Sequence, residues 1–101
     1  MKRTTTAREV ERGEMLRYLM EVYPGGATPQ TLLHHLDYSG YSVDRETLDF
    51  HIHYLAEKGY AAVDAHEPEV GHPPEVRLVK ITPAGIDLLD RRRKGETGVR
   101  A

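Results

Sequence analysis

The sequence predicts a mainly helical α+β domain: a three-helix core, a two-stranded antiparallel hairpin and a C-terminal helix. Three observations predict it. Apolar residues recur at helical spacing in three segments before residue 60. Thr-Pro occurs at Thr28-Pro29 and again at Thr82-Pro83, each opening a new apolar-periodic segment. A threonine hydroxyl caps free backbone N–H groups, and proline at the first helical position gives up no needed donor. Between Tyr60 and Ile81 the helical period yields to two extended runs, with Pro68, Gly71, Pro73 and Pro74 between them.

The first helix is expected over about residues 7 to 23, with Leu16, Leu19, Met20 and Tyr23 as its core-facing stripe. Arg8, Glu9, Glu11, Arg12 and Glu14 then face solvent, and Arg8–Glu11, Glu9–Arg12 and Glu14–Arg17 can pair at i, i+3. Pro24-Gly25-Gly26 stops this helix. The second helix starts at Thr28-Pro29 and buries Leu32, Leu33 and Leu36. Asp37 to Tyr41 form the turn, with Gly40 at positive φ. The third helix starts after Ser42 or Asp44, either of which can cap it, and buries Leu48, Ile52 and Leu55. Gly59 suits its C-terminal cap. Tyr60–Ala65 and Val76–Ile81 read as strands, and three prolines between them exclude regular sheet at the tip. The last helix turns Ile86 and Leu89 inward, keeps Leu88 near the edge and ends in Arg91-Arg92-Arg93-Lys94, where cations suit the helix dipole.

The chain of 101 residues fits one domain, expected over 7–94, with a flexible lead at 1–6 and a flexible tail at 95–101. There is no cysteine, which excludes disulfides and zinc-thiolate sites. No apolar run approaches membrane-spanning length and no signal-peptide pattern opens the chain, so a cytoplasmic location without membrane contact is expected. The net charge is −2, unevenly spread. Residues 60–75 hold four acidic groups and no basic one, whereas residues 76–101 hold seven basic and three acidic.

Leu55, Gly59 and Tyr60, followed by Ile81, Thr82 and Gly85, match a pattern of "L-x-x-x-G-hydrophobic" and then "hydrophobic-T-x-x-G". With the leucine-rich segment before the turn, this resembles winged helix-turn-helix proteins of the MarR and PadR kind, over about residues 10 to 90. In length and basic tail the chain more loosely resembles short winged-helix proteins of Mu-like prophages. The resemblance implies a winged helix, double-stranded DNA as partner, transcriptional regulation, and a homodimer formed through the first and last helices.

In such a fold the early outward residues of the third helix enter the major groove. Here those are Arg45, Glu46, Asp49, Phe50 and His53. Arg45 can donate to guanine, and His53 to phosphate or base. Asp44, Glu46 and Asp49 oppose this use, because affinity rests on phosphate neutralisation by cations. Arg91, Arg92 and Arg93, with Lys94, form the one dense basic cluster, readable as a phosphate contact or as a solvated helix end. Arg3, Arg8 and Arg12 can join it if the first and last helices lie together. Phe50 and Tyr54 stand one turn apart on the outward face: either the wing or the first helix covers one of them, or they form a candidate patch for a protein partner, which makes an interaction module the alternative function. The acidic wing is a solvated loop or a contact for that partner.

The six histidines carry no metal-ligand spacing. His34 or His51 more simply sits partly buried beside the core. No nucleophile motif, phosphate-binding glycine loop or acidic pair is present, so neither enzyme activity nor a cofactor is expected.

Overall fold

A computed structural model describes residues 6–66, 70–71 and 75–94, the last three of these by their backbone alone. The elements run α1 (Ala7–Glu21), α2 (Pro29–Tyr38), α3 (Arg45–Glu57), β1 (Ala61–His66), β2 (Glu75–Ile81) and α4 (Pro83–Lys94). Residues 1–5 of the expected lead, the expected tail at 95–101 and six wing-tip positions lie outside the described residues.

Local chemistry sets each boundary. Thr6, expected in the lead, instead caps α1: its hydroxyl accepts from the Glu9 N–H while the Glu9 carboxylate reaches back. Thr28 caps α2 and Asp44 caps α3 through the Thr47 N–H at 2.7 Å, settling the choice left open with Ser42. Gly40 and Gly59 take positive φ, +92° and +79°, where a side chain would be strained.

Thr82 does two jobs. Its hydroxyl donates to the Gly59 carbonyl at 2.6 Å and accepts from the Gly85 N–H at 3.1 Å, so it ties the start of α4 to the end of α3. Gly85 lies against the Tyr60 carbonyl, where an added Cβ would also meet Ile81 Cγ1 at 2.8 Å. The Thr-x-x-Gly spacing thus follows from one capping hydroxyl and one close backbone approach.

The core gathers Met15, Leu16 and Leu19 of α1, Leu32 and Leu36 of α2, and Leu48, Ile52 and Leu55 of α3, roofed by Ala61, Val79, Ile81 and Leu89. Ile86 and Leu88 are partly buried against this cluster, and α4 packs on α1. Two sequence expectations for α1 are corrected. Tyr23 is exposed, because the helix ends two residues earlier, and Met15 takes its place in the core. Glu11, expected in solvent, is only 5% exposed.

The strands pair antiparallel, Ala61 opposite Ile81 through His66 opposite Glu75. Asp64 faces Leu78 and Ala65 faces Val76, which leaves Arg77 as the extra residue of a β-bulge. Ala27 adds a single bridge to Val79, its N–H and carbonyl bonded at 2.9 and 2.8 Å. Backbone approach there needs Gly26, since a Cβ would fall 2.6 Å from the Val79 carbonyl oxygen.

Candidate nucleic-acid interface

The N-termini of α2 and α3 open beside the wing onto a cleft of about 520 Å³. Thr28, Pro29 and Gln30 line it from α2, Arg45 from α3, and His66, Glu75, Val76 and Arg77 from the hairpin. The Thr28 and Asp44 caps each occupy one N–H of these N-termini, and the positive dipole ends behind them suit a phosphate. Arg45 and Arg77 bring cations to the same opening, and Glu75 is the acidic side chain among its lining residues.

Arg77 reaches the cleft because of the bulge. Simple alternation would place it in phase with the buried Val79 and Ile81. The extra residue shifts the phase, so that Val76 packs on the core and Arg77 is exposed. Sequence reasoning missed Arg77, together with Thr28, Gln30 and His66 as cleft residues. The available signal was an arginine in the inward phase of a half-buried strand.

On α3, the carboxylates that seemed to oppose DNA are largely engaged. Asp44 caps its own helix, and the hydrogen bond from Thr47 holds its carboxyl below its ordinary 3.8. Asp49 accepts from Arg45 Nε at 3.0 Å. Glu57 pairs with His53 at 3.0 Å, with both side chains exposed. Among the described residues, Glu46 is the outward carboxylate of this helix with no ion pair. The exposed Arg45, Glu46, Asp49 and His53 therefore share one ridge with Phe50, which is 60% exposed.

Tyr54 does not join that ridge as an open aromatic. It is partly buried, with the Arg12 guanidinium 4.1 Å above its ring and the Lys58 ammonium at 5.7 Å. Arg91 is exposed on α4 and does not line the cleft; the side chains of Arg92, Arg93 and Lys94 lie outside the described residues.

Behind α3 lies a polar contact inside the core. His51 is fully buried, its Nε2 2.8 Å from Glu11 Oε1 on α1 and its Nδ1 3.4 Å from an Arg12 nitrogen. A neutral ring that donates from Nε2 and accepts at Nδ1 satisfies both contacts. Burial drives the His51 pKa below its ordinary 6.5, against the pull of Glu11. Burial alone would raise Glu11, but hydrogen bonds from His51 and Arg8 outweigh it and hold the carboxyl below 4.5. One turn further along α1, Glu14 Oε2 meets His35 Nε2 of α2 at 2.8 Å, with Tyr18 stacked on the His35 ring. Two carboxylates of α1 thus orient the two helices of the helix-turn-helix. His34, by contrast, is exposed and contacts Gln30.

A three-helix core with a hairpin wing and a cleft at the N-termini of α2 and α3 defines a winged helix-turn-helix domain. It is the fold of the PadR-like regulators. A PadR-like transcription factor from Bacteroides fragilis is similar at 15% identity and a TM-score of 0.63, over 91% of this chain and 84% of that one. A PadR family transcriptional regulator from Eggerthella lenta shares 22% identity over 89% and 75%, with a TM-score of 0.58. A transcriptional regulator from Clostridium thermocellum gives 17%, 96% and 89%, with a TM-score of 0.65. No protein-family model and no curated protein matches the chain.

Proposed function

We propose that this chain is a DNA-binding regulatory module that holds duplex DNA at the cleft between α2, α3 and the wing. The observation that carries the reading is the convergence of Arg45 and Arg77 with Thr28 and Gln30 at one opening. Arg77 and the Gln30 amide take phosphates. Arg45 and Glu46 face base edges in the major groove, and His53 lies about two turns further along. The basic residues of α1 and α4, Arg91 to Arg93 among them, extend the phosphate contacts. The names of the three similar structures described above, each a transcription factor or regulator, support the same use.

The test is a titration of duplex DNA at two ionic strengths. Affinity falls steeply with salt if phosphates are neutralised. Arg77→Ala weakens binding across all sequences and lowers the salt slope by about 1. No mobility shift of any duplex at low salt refutes the proposal.

Homodimerisation through α1 and α4 belongs to this reading. Leu88 of α4 remains only partly buried within one chain, which leaves apolar surface for a partner. Light scattering at micromolar concentration checks it, and a monomer mass rejects it. Phe50 supports a second reading, a protein contact on the face of α3. That reading has lost its other expected anchor, since Tyr54 is covered by Arg12.

A further inference from the structure

Resting on the DNA-binding reading, we infer that Asp49 is a positioning residue: it holds the Arg45 guanidinium so that Arg45 selects guanine. Arg45 is the first residue of α3 and lines the cleft, at the end of a recognition helix that meets base edges. Asp49 follows one turn later on the same exposed face, and side chains on a helix lean toward its N-terminus. Its Oδ1 accepts from Arg45 Nε, at 3.0 Å, and not from a terminal nitrogen. That choice of atom matters. With Nε engaged sideways, both terminal amino groups of the planar fork remain free and point along the side chain's long axis. This end-on edge matches the O6 and N7 acceptors of guanine in the major groove.

The pairing also changes what Asp49 does to DNA. A free carboxylate there would repel phosphates or accept from the cytosine or adenine amino group. Paired with Arg45, its Oδ1 is occupied and its charge is offset by the guanidinium. The pair therefore converts an apparent defect of the helix, an acidic residue beside the base-reading position, into a filter for one base.

The experiment is selection from a duplex pool with a randomised centre, followed by titration of the enriched and scrambled duplexes. The wild-type chain enriches guanine at one position. Arg45→Ala removes that preference. Asp49→Ala keeps its binding to scrambled duplex, or strengthens it, yet loses about tenfold of the guanine preference, toward the low end for a bidentate contact. Asp49→Asn, whose amide oxygen still accepts from Nε, restores most of it. Thermal unfolding of each variant separates a folding defect from a readout defect, and Asp49 is exposed, so both variants fold. If Asp49→Ala retains the full guanine preference, or if it loses specific and scrambled binding in equal measure, the inference is overturned. Binding of wild-type chain with no guanine preference overturns this inference alone; no binding to any duplex overturns the function as well.

Discussion

Replacing Glu11 with alanine probes the contact that joins α1 to α3. Glu11 is 5% exposed and accepts from a His51 that is fully buried. Without the carboxylate, the Nε2–H of His51 has no acceptor, and a buried donor left unpaired costs about 1–3 kcal/mol. Loss of the buried Cγ methylene adds roughly 0.8 kcal/mol. The expected destabilisation is thus about 2–4 kcal/mol, or a fall in Tm on the order of 10–20 °C for a domain of this size. Glu11→Gln keeps an oxygen for His51 and should cost only about 1 kcal/mol.

The acid side of the profile carries the signature. Because the His51 pKa is lowered, its contribution is full above 6.5 and declines as pH falls from there toward its folded value. Because Glu11 is also lowered, its contribution is full above 4.5 and is lost as pH falls through its depressed value. Glu11→Gln abolishes the second limb and steepens the first, since the carboxylate that helped His51 keep a proton is gone. Urea unfolding followed by far-ultraviolet circular dichroism across the neutral-to-acid range reads both limbs. A Glu11→Ala protein within about 0.5 kcal/mol of the parent would refute the reasoning.

Three other outcomes are expected. Leu48→Ala, at a position with no exposed surface, should lose about 2–5 kcal/mol in denaturant unfolding. Gly85→Ala should destabilise by about 1–3 kcal/mol despite alanine's better helix propensity, because the new methyl meets the Tyr60 carbonyl; a rise in Tm would contradict that contact. Thr82→Val keeps the shape but removes the hydroxyl between Gly59 and Gly85, for a loss of about 1–2 kcal/mol by thermal melting.

The fold was legible because its punctuation is local. Thr28-Pro29, Thr82-Pro83, Gly40 and Gly59 act through their own backbone neighbourhoods, and Leu48, Ile52 and Leu55 repeat at helical spacing; all stand where expected. What sequence reading missed depends on partners far along the chain. Glu11, Met15 and Leu19 form one buried row, but a glutamate looks like a solvent residue until His51, forty positions away, supplies its donor. Whether Phe50 or Tyr54 lay covered stayed open for the same reason, because the cover of Tyr54, Arg12, belongs to another helix. The cleft was only half visible. Arg45 was found from helix phase, whereas Arg77 needs a bulge that shifts the strand's alternation.

The Ala27–Val79 bridge has a mechanical consequence. Ala27 immediately precedes the Thr28 wall of the cleft, and Val79 shares a strand with Arg77 on the opposite wall. Two backbone hydrogen bonds therefore act as the pivot of a caliper whose arms cannot spread without breaking them. On the proposed DNA-binding reading, a duplex held at this cleft would have to adjust its own groove width to theirs. Stiff and pliable base steps would then be told apart even where no side chain touches them.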